Sequence, residues 1–154
     1  MSQPERDARP GPSIKGRALR LLALREHTRS ELEKKLARHD PDPEALRQAL
    51  DELTAKGFIS ETRVVESVLH SRAQRFGARR VRQELQAKGV SDAALAQAMD
   101  QLRASELDRA REVWRKKFGA LASDAKERAR QARFLLARGF GAEVVRRVTQ
   151  TDTD

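Results

Sequence analysis

ARHDPDPEALRQALDEL (residues 37–53) and QAKGVSDAALAQAMDQL (residues 86–102) are two versions of one pattern, set 49 positions apart. Leu46 falls on Leu95, Ala49 on Ala98, Leu50 on Met99 and Leu53 on Leu102. Upstream, Leu32 falls on Val81 and Leu36 on Leu85. These positions are spaced by three and four, the period of a helix with one buried face. A second shift, of 50, carries Leu85 onto Leu135, Gly89 onto Gly139, Val90 onto Phe140 and Ala98 onto Val148. The shared positions are apolar or turn positions, which packing constrains, while the others drift. The chain therefore reads as three copies of a unit of roughly 50 residues.

The punctuation between helices repeats as well. Gly89 and Gly139 suit the left-handed residue that ends a helix; Asp40 holds the same slot in the first copy. Ser91 and Asp42 are N-cap types, and Pro43 follows Asp42 in the first helical position. Thr28 and Glu31 have the spacing of a capping box. Ser60 and Ser105, each followed by Glu, are placed to start the first helices of copies two and three. Helices are expected near 14–26, 29–38 and 43–56, near 61–75, 78–88 and 92–103, and near 106–118, 125–138 and 142–149. The repeats then span 14–60, 61–105 and 106–149. A disordered lead over 1–13, with three of the five prolines, precedes them, and a frayed tail over 150–154 follows. No stretch alternates in the manner of a strand, so the fold class is all-α.

Composition narrows the function. The chain has 32 basic and 23 acidic residues, a net charge of +9, which favours an anionic partner. With no cysteine there is no disulfide framework and no thiolate site. No apolar run approaches the ~20 residues of a membrane span, and the N-terminus lacks the apolar core of a secretory signal. A cytoplasmic protein is expected. His27, His39 and His70 stand apart from one another, and none belongs to a metal or acid–base pattern. His27 and His39 read as helix-end residues. No catalytic residue, metal or cofactor is expected, and the chain reads as a binding protein.

Trp114 lies with Leu107, Ala110, Phe118 and Leu121 in a core stripe. Phe58 and Ile59 read as a staple between repeats, and Phe76, ahead of Gly77, as a similar residue or a partner contact. The basic side chains carry the stronger signal. Residues 67–83 contain Arg72, Arg75, Arg79, Arg80 and Arg82 and no acid. Between 109 and 147 there are 12 Lys or Arg and four acids. Arginines without acids at the start of a helix oppose its dipole, which an anionic partner would offset. Arg72, Arg75, Arg79, Arg80 and Arg82 form one candidate contact patch, and Lys116, Lys117, Arg130 and Arg133 a second.

The segment ISETRVVESVLHSRAQRFGARRVRQELQAKGV (residues 59–89 and Val90) resembles the middle repeat of RecX, the bacterial regulator of the RecA recombinase. ALRLLALREHTRSELEKKL in the first copy and ARQARFLLARGF in the third extend the resemblance to residues 14–149. The chain departs from the family's usual pattern at Ser60, where a second acid is common. It departs again at Val64, Val65, Val68 and Leu69, where aromatics are common. The resemblance implies an elongated, curved array of three tandem three-helix, helix-turn-helix-like repeats. It implies a monomer that binds in the groove of the RecA filament on single-stranded DNA. There it would inhibit filament growth, ATP hydrolysis, strand exchange and co-protease activity, with weak direct DNA binding as a further expectation.

A rival reading is a helix-turn-helix-type regulator that binds duplex DNA. Against it, the third helices offer Leu46, Gln48, Leu50, Ala94, Gln97 and Met99, poor material for reading base edges. A helical scaffold without an anionic partner is a second rival.

Overall fold

The computed structural model describes residues 13–150. Apart from Ser13 and Gln150, the expected lead and tail lie outside them. Among the described residues every regular element is a helix: α1 (Ile14–Leu24), α2 (Arg29–Leu36), a 3-10 turn (Ala37–His39), α3 (Pro43–Ala55), α4 (Glu61–Arg72), α5 (Ala78–Ala87), α6 (Asp92–Lys117), α7 (Ala125–Ala137) and α8 (Ala142–Thr149). The described residues form two compact bodies, divided between Ser60 and Glu61.

In the first body, α1, α2 and α3 close around Ala18, Leu32, Leu36, Leu50, Leu53 and Ile59. Ile59 is buried in this core while Phe58 is about half exposed. The helix starts follow from side-chain chemistry. Thr28 and Glu31 form a reciprocal capping box, with Glu31 N–H donating to Thr28 Oγ1 at 3.0 Å and Thr28 N–H to Glu31 Oε1 at 3.1 Å. Asp42 accepts from Ala45 N–H at 3.2 Å ahead of Pro43. Asp40 adopts a positive φ of 45°, the same left-handed stop that Gly89 and Gly139 provide at 77° and 91°.

The second body holds two cores. Val64, Val68, Val81, Leu85, Leu95, Met99 and their neighbours fill one, and Ala110, Leu135, Phe140, Val145 and Val148 the other. The four positions at which this chain lacks the family's usual aromatics therefore contribute buried or packed aliphatic side chains to the first of these cores.

The break expected between helices 92–103 and 106–118 does not exist. Residues 92–117 form one 26-residue helix, about 39 Å long, and it serves both cores. Ser105 starts no helix. It lies within α6, its hydroxyl near the carbonyls of Gln101 and Leu102, at 3.5 and 3.4 Å, and its oxygen accepts from Arg109 Nε at 3.0 Å. Nothing in residues 103–106 forces an end: Arg, Ala, Ser and Glu are all compatible with a helix interior. Helix α6 ends at Lys117, and Gly119 follows with a φ of 72°. Leu121 therefore leaves the stripe led by Trp114 and is 48% exposed. Trp114 itself packs on the second core and donates from Nε1 to Gln131 Oε1 at 2.9 Å.

Candidate functional site

The second body is organised around Glu106 and Arg109, two charged residues one turn apart on α6. Helices α5 and α8 both begin with a glycine N-cap, Gly77 and Gly141, which has no side chain to accept from the first-turn amides. Glu106 supplies an acceptor to both helix starts, at the first helical amide of α5 and the N-cap amide of α8. Its Oε1 takes the N–H of Ala78 and the N–H of Gly141, each at 3.3 Å, and the side chain is buried. A carboxylate at a helix N-terminus also complements the dipole. The arginine-rich start of α5 thus has one carboxylate at its N-terminus, supplied from α6 by Glu106, 28 residues downstream of Ala78.

Arg109 does the converse work. Its Nη1 donates to the carbonyls of Ala73 and Phe76, both at 2.9 Å, and its Nη2 to Leu102 O at 2.9 Å. It thereby fixes the turn between α4 and α5. Burial pushes its guanidinium below the ordinary arginine value, and the nearby Glu106 carboxylate opposes that shift.

That turn docks by its backbone on the end of α7. Gly77 N–H donates to Arg138 O at 2.8 Å and Arg79 N–H to Gly139 O at 3.3 Å. A Cβ on Gly77 would lie 2.3 Å from Phe140 N and 2.4 Å from Gly139 C, so only glycine fits.

This docking connects Arg80 of the first basic patch with Lys117 and Arg130 of the second. The Arg80 guanidinium lies over the Phe76 ring, 4.5 Å from its centroid. Arg138 lies 5.4 Å from Phe76 and 5.0 Å from Phe134. The Lys117 ammonium is 5.4 Å from Phe134. Phe134 meets Phe118 edge to face at 5.4 Å, and Arg130 sits 5.4 Å from Phe118. Cations and rings thus stay in contact from Arg80 on α5 to Arg130 on α7, with the rings of Phe134 and Phe118 adjacent. Each contact contributes about 0.5–1 kcal/mol at exposed sites. A ring orients a cation without neutralising it. Among the described residues Arg80, Arg138 and Lys117 have no carboxylate partner, and Arg130 is paired with Glu127 at 2.9 Å.

The other candidates stand apart from this ladder. Arg72 is paired with Glu84 at 3.3 Å, and Lys116 lies 3.9 Å from Glu112. Arg75, Arg79, Arg82 and Arg133 are exposed and, among the described residues, lack an acidic partner. Arg82 faces the hollow between α5 and α6 that also holds Asp92, Asp100 and Arg103. Arg138, Phe134, Glu106 and Arg109 were not singled out in the sequence. Arg138 could have been, because the 50-residue shift places it on Lys88, directly ahead of the helix-ending glycine. The pairing of Glu106 with Ala78 and Gly141 had no sequence signal.

Among the described residues no group of three His, Cys, Asp or Glu could hold a metal ion, and no helix is long and apolar enough to cross a membrane.

Comparison with known proteins gives a consistent result along the chain. The RecX first three-helix domain matches residues 15–53, the second matches residues 60–99, and the third matches residues 104–149. The regulatory protein RecX of Leptothrix cholodnii is 55% identical over 140 residues, 91% of this chain and 89% of that protein. That of Ralstonia nicotianae is 46% identical, over 90% of this chain and 87% of its own. The crystal structure of RecX from Lactobacillus salivarius is similar in fold, with a TM-score of 0.74 at 18% identity, covering 88% of this chain and 91% of that one. Three matched domains in family order, and relatives aligned over nearly their whole length, show that this chain belongs to the RecX family.

Proposed function

We propose that this protein is a cytoplasmic, non-catalytic negative regulator of RecA. It binds as a monomer in the groove of the RecA filament on single-stranded DNA. There it blocks filament growth and so lowers ATP hydrolysis, strand exchange and co-protease activity. The observation that carries this reading is the ladder from Arg80 to Arg130, set on a rigid base by Gly77, Glu106 and Arg109. Its cations are held in place before the partner arrives, which lowers the ordering cost of binding. Their charge would speed association with acidic protein surface or DNA phosphate and make it salt-sensitive.

The duplex-reading alternative gains little support from the third helices. Arg47 of α3 is held by Glu44 and Asp51, Arg103 of α6 by Asp100 and Arg146 of α8 by Glu143. Side chains paired in this way are poorly placed to reach base edges.

The deciding experiment is a RecA ATPase assay on single-stranded DNA with the protein titrated in. Inhibition at substoichiometric protein is expected from capping of growth. The combined changes Arg80→Glu, Lys117→Glu and Arg130→Glu should abolish it with helicity retained. Full inhibition by a folded triple variant would remove the ladder from the contact surface.

A further inference from the structure

In the first body a cleft of about 350 Å³ opens between α1 and the end of α2. Arg17 and Arg20 line it from α1, Lys35 from α2 and Arg38 from the 3-10 turn, and no acid is among its lining residues. Leu21 and Leu36 give it an apolar wall, and at its edge Leu24 is 82% exposed. We propose that this cleft docks an acidic peptide segment that carries an aliphatic side chain.

Several cations elsewhere on this body are paired. Glu52 takes both Lys15 and Lys56, Glu31 takes Arg25, and Arg29 reaches Glu33 and Asp51. Within the cleft Arg17 Nη1 lies 3.4 Å from His39 Nε2. Arg20 and Arg38 are exposed and, among the described residues, have no partner. Lys35 is fixed, but by an uncharged group: its ammonium donates to His27 Nε2 at 3.0 Å. His27 Nδ1 lies 2.9 Å from Arg25 O, so the ring donates there and accepts at Nε2, as only a neutral imidazole can. His27 is buried, and burial lowers its pKa, in keeping with the neutral form. Lys35 is therefore aimed without losing its charge.

The fold does not require these cations. At the 49-residue register Lys35 and Arg38 fall on Glu84 and Ala87. Packing positions repeat between the copies, and this cluster does not. Carboxylates complement the cations, and an aliphatic side chain complements Leu21, Leu24 and Leu36. A nucleic-acid strand fits less well, because no Phe, Tyr or Trp lines the cleft to stack a base. This inference stands independently of the filament reading, since it concerns a different surface and needs no RecA.

The test uses the full chain and a fluorescein-labelled decapeptide of glutamates with a central pair of leucines. Fluorescence anisotropy should show saturable binding, and amide chemical-shift changes should be confined to residues 17–39. Arg20→Glu with Arg38→Glu, both at exposed positions, should weaken binding at least about tenfold, with the circular dichroism unchanged. Exchanging the peptide's leucines for serine should weaken it at least about threefold. Absence of saturable binding, or shift changes centred outside residues 17–39, would overturn the proposal. So would equal binding by the leucine-free peptide, or equal binding by an oligothymidylate of the same charge, since either describes a general polyanion surface.

Discussion

Glu106→Ala should destabilise the second body far more than an ordinary surface change. The substitution removes the acceptor shared by Ala78 and Gly141, so two helices lose their N-terminal cap at once. A lost cap costs about 1 kcal/mol. The half-buried Arg109 guanidinium also loses its opposing charge, a contribution of at most about 1 kcal/mol at this exposure. The sum is about 2–3 kcal/mol, or a fall of roughly 10–15 °C in the midpoint of a body of this size. Glu106→Gln keeps an oxygen at the same place and loses only the charge, so its effect should be about half as large. Trp114 is the only tryptophan and packs in the second core of this body, so its fluorescence in urea reports on the body directly. Circular dichroism follows the whole chain. A Glu106→Ala protein within about 0.5 kcal/mol of the parent would refute the shared-cap argument.

Three other outcomes are expected. Gly77→Ala should lower stability by about 1–3 kcal/mol, because its Cβ meets the backbone of residues 139–140 and something must move; an unchanged urea midpoint would contradict the close approach. Arg138→Ala removes the link between Phe76 and Phe134 and should weaken inhibition of RecA ATPase as much as Arg80→Glu does, so full inhibition would break the ladder at its centre. His27 has a lowered pKa in the folded chain, so the unfolded chain takes up a proton first as the pH falls. Stability of the first body should therefore be highest above pH 6.5 and decline below it, and hydrogen exchange of α1 and α2 at pH 7.5 and 5.5 should show this slope removed by His27→Gln.

Features set by short-range chemistry were legible in the sequence. The capping box at Thr28, the caps at Asp42 and Ser91 and the stops at Gly89 and Gly139 each depend on residues within a few positions of one another. The apolar register also held, since Leu32, Leu36, Leu50, Leu53, Val81, Leu85 and Leu135 are all buried. One error arose where a local signal met no local obstacle. Ser105 has the residue type of a cap, but a serine can equally sit inside a helix and bond back to the preceding turn. The acid at the start of α5 was not legible, because Glu106 reaches Ala78 from α6. His27 was read as a helix-end residue from its position alone. Its burial comes from the fold around it, and its bonds to Arg25 O and Lys35 satisfy both ring nitrogens. The contacts that connect Arg80 with Lys117 and Arg130 were not legible, because Phe76, Phe118 and Phe134 come from different elements and the central Arg138 was not singled out.

The uninterrupted run of α6 has a consequence for how this junction can change over time. Between Leu102 in one core and Ala110 in the other there is no loop to absorb an added or lost residue. Inserting one residue there would turn the downstream core by about 100° about the helix axis and carry it about 1.5 Å further along. Glu106 would then face a different direction from at least one of the helix ends it serves. An insertion of seven would leave a phase error of only about 20° but would move the cores apart by about 10 Å. Length variation in this protein should therefore gather in the connections outside α6, such as residues 118–124, while the spacing between its two cores stays constant.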